Sequence, residues 1–161
     1  MKVLFLDVDG VLNYRGFLQH GQRPATEDQI CPVRAARIQE VCDRTGAVLV
    51  LSSTWRLSRT RRSMQAILKR RGVTAPIVDT TMWFPLGPRG EEIGAWLDTH
   101  DVDGFCIVDD DVGATHMLGT TKPSRRLASH YVRTYYDFRD APGDGGIQAK
   151  DVEKAVRILN G

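Results

Sequence analysis

Acidic residues stand in two groups that could share one chemistry. Asp7-Val8-Asp9-Gly10 comes just after a short apolar run, and Asp109-Asp110-Asp111 comes just after another. Taken alone, the first group reads equally as a turn, because Asp-Gly is a common turn pair. A second acidic cluster behind a second buried run shifts that balance. Several carboxylates brought together repel one another unless a cation neutralises them. Hard carboxylate oxygens, completed by backbone carbonyls and water, suit Mg²⁺. Groups for holding an anion are present as well. Ser52 and Ser53 follow a third apolar run and precede a helix-period segment. Hydroxyls and free amides are therefore expected at a helix amino terminus, where phosphate is favoured. Arg56, one turn further on, is expected to clamp phosphate oxygens. Arg89, near the start of the next helix, either reaches the same phosphate or is an exposed first-turn arginine. A cation site, an anion cradle and a spare carboxylate together describe phosphoryl transfer.

These groups need elements that bring them to one place. Val3 to Leu6 reads as a short buried strand ending in acid, and Pro32 suits a helix start, with Ile38, Val41, Cys42 and Thr45 at helical spacing until Gly46. Ala47 to Leu51 is a second strand and ends in Ser52-Ser53. A basic helix follows, with Met64, Ile67 and Leu68 inward and Gly72 as its cap. Pro76-Ile77-Val78 is a weaker strand, 80–88 a loop, and Ile93, Trp96 and Leu97 mark a further helix. Phe105 to Val108 and Tyr131-Val132 complete the strands, Pro142 to Gly146 is a loop, and Val152, Ala155, Val156 and Leu159 mark a terminal helix. Strands alternating with helices predict an α/β fold, a single Rossmann-like parallel sheet of about five strands with helices on both faces. Such sheets bind ligands beyond the carboxyl ends of their strands, which is where the polar residues gather.

Composition sets the remaining bounds. The 161 residues amount to one domain spanning 1–161, and 42% hydrophobic with 26% charged residues is ordinary globular usage. Formal net charge is only +2, but arginines and lysines crowd residues 56–71. That run either attracts a polyanion or merely solvates a helix. Cys31, Cys42 and Cys106 form no CxxC pair and predict reduced thiols in a cytoplasmic protein, Cys42 and Cys106 as core filler. The apolar start Val3 to Leu6 is too short for a signal peptide or a membrane span. His20, His100, His116 and His130 lack ligand spacing, and the absence of GxxxxGK[ST] argues against a nucleotide kinase. Tyr135, Tyr136 and Phe138 either stack on a base or pack a loop.

Asp7-Val8-Asp9-Gly10-Val11-Leu12, Ser52 and Val108-Asp109-Asp110 resemble motifs one, two and four of the haloacid dehalogenase (HAD) superfamily. Leu51-Ser52-Ser53-Thr54-Trp55-Arg56, together with Asn13 after the first motif, is similar to the small phosphatase domains linked to RNA-repair proteins. It is more distantly similar to the phosphatase half of polynucleotide kinase-phosphatases. The resemblance implies that Asp7 attacks phosphorus and becomes an aspartyl phosphate, while Asp9 protonates the leaving alcohol and then activates water. It implies Mg²⁺ held by Asp7, the Val8 carbonyl and Asp110, with Asp109 behind them or as an alternative ligand. Ser52 would hold the phosphate. Arg89 best matches the basic third motif, with Lys122 as its rival.

Asp9 separates the chemistries, since by this resemblance phosphatases need an acid two residues after the nucleophile and dehalogenases do not. Residues 13–31, with Gly16, Gly21 and Pro24, are expected to form a small flap and no large cap domain. An open site favours bulky substrates, so the expected activity is a Mg²⁺-dependent phosphomonoesterase acting on RNA or DNA 3′ or 5′ ends. A phosphatase of free nucleotides or other small phosphate esters, and an idle module that binds phosphorylated ends, are the alternatives.

Overall fold

The computed structural model describes residues 1–18, 29–119, 122–137 and 145–161. Most of the expected flap, with His20, Gly21 and Pro24, lies outside the described residues, as do Phe138 and residues 142–144 of the late loop. The strands are β1 (Lys2–Leu6), β2 (Val48–Leu51), β3 (Ile77–Thr80), β4 (Gly104–Asp109) and β5 (Tyr131–Arg133). Between and after them run α1 (Pro32–Thr45), α2 (Arg61–Arg70), α3 (Arg89–Asp98), the single turn α4 (Arg125–Ala128) and α5 (Ala149–Asn160). All strand pairs are parallel, in the order β3-β2-β1-β4-β5. The expected α/β sheet of five strands is therefore the observed one.

The order matters because it puts β1 at the centre, flanked by β2 and β4. Val3, Leu4, Phe5 and Leu6 are all fully buried, as a strand covered on both faces must be. Alternation divides them. Leu4 and Leu6 join a core with Ile38 and Val41 of α1, Met64 and Leu68 of α2, and Val152 and Leu159 of α5. Val3 and Phe5 face Ile93, Trp96 and Leu97 of α3 on the other side, where Trp96 meets the Phe5 ring edge-on at 5.3 Å. Helices thus cover both faces, and the end of β1 lies at the middle of the carboxyl edge.

Local signals explain the boundaries. Pro32 occupies the first turn of α1, and Gly46 ends it with φ +72°. Thr60 caps α2 by accepting from the Ser63 amide at 3.2 Å. Cys42 and Cys106 are free and buried, as expected of core filler, and Cys31 is free and buried as well. His100 stacks on Trp96 at 3.8 Å and His130 on Phe105 at 4.1 Å, so both are packing residues. Among the described residues, no helix is long and apolar enough to cross a membrane.

Candidate active site

Three strand ends meet where the acidic motifs predicted. The Asp7 amide donates to Val108 O at 3.1 Å, and the Ser52 amide to Leu6 O at 3.1 Å. These bonds carry the parallel ladders one residue past the ends of β1 and β2. Asp7, Asp109 and Asp110 consequently bring carboxylate oxygens within 4.8 Å of one another. Gly10 permits the approach. Its φ is +75°, and a Cβ there would stand 2.3 Å from the Asp110 carboxyl carbon, closer than any side chain can come.

Arg89 enters this cluster from the first turn of α3. Its Nη1 donates to Asp109 Oδ2 at 2.5 Å and lies 3.1 Å from Asp7 Oδ2. Gly90 lets the helix start sit against the loop after β4, since a Cβ there would be 2.1 Å from His116 O. Lys122, the rival for the basic role, is exposed. Burial raises the Asp7 pKa, while the Arg89 charge and a hydrogen bond with Ser53 lower it. Burial, then the Asp7 charge, pushes Asp109 up to about 8, and the same two causes push Asp110 to about 6. Burial works against the Arg89 charge, but Asp7 and Asp109 outweigh it and hold the guanidinium protonated. Once ionised, the three carboxylates outnumber the one guanidinium and carry an excess of negative charge. An all-oxygen donor set with that excess fits a hard divalent cation such as Mg²⁺.

Asp9 stands beside the cluster, held at both oxygens. Asn13 Nδ2 donates to Oδ1 at 2.7 Å, and Trp55 Nε1 donates to Oδ2 at 3.0 Å. Asn13 Oδ1 in turn accepts from the Gly10 amide at 3.0 Å, so one side chain ties the turn to the carboxylate. Sequence reasoning assigns neither Asn13 nor Trp55 a role. Both stand within the family-like motifs, but no local signal tells that an indole from after β2 reaches a carboxylate after β1.

Ser52 is fully buried, and its hydroxyl has no hydrogen-bond partner among the described residues. A buried hydroxyl without a partner is costly, and at this strand end a ligand oxygen would satisfy it. Ser53 is engaged locally, where its Oγ accepts from the Trp55 amide at 3.3 Å. That bond starts a 3₁₀ turn, Thr54–Leu57, where the sequence predicted the basic helix itself. Thr60 supplies a second cap, so the helix begins only at Arg61.

Two of the expected site groups are engaged with the protein itself. The Val8 carbonyl, expected to face Mg²⁺, accepts from the amides of Leu12 at 2.8 Å, Val11 at 3.2 Å and Asn13 at 3.3 Å. These three bonds turn the chain after β1. Arg56, expected to clamp phosphate, is spent on the scaffold. Nε donates to Thr81 O, Nη1 to Ser52 O and Ser53 O, and Nη2 to Met82 O and to Glu92 Oε2 at 2.6 Å. Every donor of the fork has an acceptor, and the ion pair with Glu92 is buried, at 4% and 5% exposure. Glu92 Oε1 also accepts from the Phe84 amide at 3.0 Å. Arg56 thus binds the loops after β2 and β3 to α3, which carries Arg89.

No curated protein and no solved structure matches the chain. Among protein families, the one described as the HAD domain in Swiss Army Knife RNA repair proteins matches residues 3–138, which contain Asp7, Asp9, Ser52, Arg89, Asp109 and Asp110. With most of its length in that match, the chain belongs to the HAD domains of Swiss Army Knife RNA repair proteins.

Proposed function

We propose that this chain is a Mg²⁺-dependent phosphomonoesterase whose favoured substrate is the terminal phosphate of an RNA or DNA strand. The observation that carries the reading is Asp7, a buried carboxylate at the central strand end, beside Arg89, Asp110 and the Ser52 hydroxyl, which has no partner among the described residues. The RNA-repair setting of the family supports a nucleic-acid end over a free nucleotide.

The residues divide the work. Ser52 Oγ donates to a phosphate oxygen, and Arg89 offsets the repulsion between Asp7 and Asp109. Asp7 Oδ attacks phosphorus in line with the leaving oxygen, and the bond from phosphorus to that oxygen breaks. Asp9 gives its proton to the leaving oxygen, releasing the hydroxyl end of the strand. Asn13 and Trp55 each use one lone pair of an Asp9 oxygen, and a second lone pair remains for the proton. Asp9 then takes a proton from water, whose oxygen attacks phosphorus, and the bond to Asp7 breaks to leave inorganic phosphate. Asp7 and Asp110 would hold the cation, with Asp109 behind them on Arg89. When bound, Mg²⁺ supplies positive charge against the phosphoryl oxygens.

The test is turnover of p-nitrophenyl phosphate with Mg²⁺, with chelator, and by Asp7→Asn. Turnover lost in chelator and in the variant, whose fold stays intact, is expected. Activity of Asp7→Asn within tenfold of the parent would refute the nucleophile. A panel of phosphorylated RNA and DNA oligonucleotides against mononucleotides and sugar phosphates then reads the substrate class.

A further inference from the structure

The carboxyl edge of the sheet carries a second concave feature, beside the acidic cluster and opposite to it in charge. A cleft of about 660 Å³ opens between α1, the end of β5 and the start of α5. Arg37, Arg133, Tyr135, Lys150 and Lys154 stand on its walls. Asp151 is the carboxylate on the same walls, but it is buried and accepts from the Gln148 amide at 2.8 Å in a capping box. Four cations therefore face one acid that is already engaged. The charge comes from side chains and not from the helix end, which its capping box satisfies. Arg37 is fixed from below, where Nη1 donates to Ile147 O at 2.7 Å and Gln148 Oε1 at 3.2 Å. Arg133 is exposed and lays its guanidinium over the Tyr135 ring at 4.9 Å.

The cleft is joined to the site by backbone. Arg133 is the register partner of Asp109, and the Thr134 amide donates to Asp109 O at 3.0 Å. The Ile147 amide donates to Val11 O at 3.0 Å, in the loop that begins with Asp9. From β1 to β5 is two strand spacings, about 10 Å. At a rise of about 3.4 Å per nucleotide in a stacked strand, that is about three nucleotides. Several cations with an aromatic ring on the same walls suit a phosphodiester backbone and a stacked base, with little dependence on base sequence. Lys150 and Lys154 stand on α5, beyond the residues matched to the family.

We propose that this cleft binds the backbone of a single-stranded nucleic acid about three nucleotides from its terminal phosphate. Its direction from the end rests on the phosphatase reading above, but binding is measured apart from turnover. The test uses the full chain carrying Asp7→Asn, with fluorescent single-stranded oligonucleotides of increasing length, followed by anisotropy across a salt series. Affinity is expected to climb from the mononucleotide to about four nucleotides. Lys150→Ala with Lys154→Ala should reduce the log–log salt slope by about 1.4, at about 0.7 per lost contact, and Lys150→Glu with Lys154→Glu should weaken binding about tenfold. Both lysines are exposed, and an unchanged melting temperature checks that each variant is folded.

Unchanged affinity and slope in the folded variants would overturn the proposal. So would a loss that follows Arg61→Ala with Arg62→Ala on α2 instead, or equally tight binding of poly-glutamate, which marks an acidic protein as the occupant. If the parent turns over no phosphate ester while the cleft results hold, the phosphatase reading falls and the binding site stands.

Discussion

Replacing Arg56 with methionine should unfold the protein more easily and should not primarily weaken its hold on phosphate. The side chain is 4% exposed, its partner Glu92 is 5% exposed, and their nearest atoms are 2.6 Å apart. Removing one member of such a buried pair leaves the other charge uncompensated, at a cost of about 3–5 kcal/mol. Ser52 O, Ser53 O, Thr81 O and Met82 O lose donors in the same step. For a chain of 161 residues the whole stability is roughly 8–24 kcal/mol, so the variant should still fold. At about 2–4 °C per kcal/mol for this size, the melting temperature should fall by roughly 6–20 °C.

Urea denaturation of Arg56→Met, Glu92→Gln and the double variant closes a double-mutant cycle. Glutamine keeps an acceptor for the Phe84 amide, so the cycle isolates the charge pair. The double variant should recover at least about half of the loss, because it leaves no buried charge behind. The reasoning is refuted if Arg56→Met loses less than about 1 kcal/mol while raising KM for a small phosphate ester tenfold. That pattern would make Arg56 the phosphate clamp that its sequence position suggested.

Other expectations follow from single contacts. Gly10→Ala must place a Cβ against the Asp110 carboxyl at a φ of +75°; it should cost about 1–2 kcal/mol and raise the Mg²⁺ concentration needed for half-maximal activity. An unaltered Mg²⁺ requirement would show that Gly10 does not set the position of Asp110. Asp9→Asn should cripple turnover of alkyl phosphates more than of p-nitrophenyl phosphate, whose leaving group needs little protonation, whereas equal losses would deny Asp9 the acid role. Trp55→Phe removes one of the two donors on Asp9 and should lower kcat about tenfold with little change in KM; a change confined to KM would contradict that positioning. Without metal, Asp109 at about 8 and Asp110 at about 6 keep protons that the unfolded chain releases near pH 4, so stability should fall as pH rises from about 4 to 8. Mg²⁺ binds the ionised carboxylates, and its gain in melting temperature should be larger at pH 8 than at pH 5; equal gains would remove these aspartates from the metal site.

The elements were legible in the sequence because their signals are local. Val3 to Leu6 and Phe105 to Val108 are apolar runs of strand length, Pro32 and Gly46 bracket α1, and helical spacing marks α3 and α5. Alternation of strands and helices then leaves Asp7, Ser52 and Asp109 at the carboxyl edge, whatever the strand order. The order itself came from tertiary packing, which set β1 between β2 and β4 and so closed the carboxylates to 4.8 Å. Partner choice was equally out of reach. Arg56 could have faced a phosphate or a glutamate, and only the fold brings Glu92 from α3 against it. The Val8 carbonyl could have faced a cation, but the tight turn before Asn13 points three amides at it. Trp55 meets Asp9 across 46 residues, and Arg37 shares a cleft with Lys150 across more than a hundred. Hydrogen-bond donors and charges carry no address in the sequence. Long-range burial of apolar strands decides which of them meet, and here that burial determined the site.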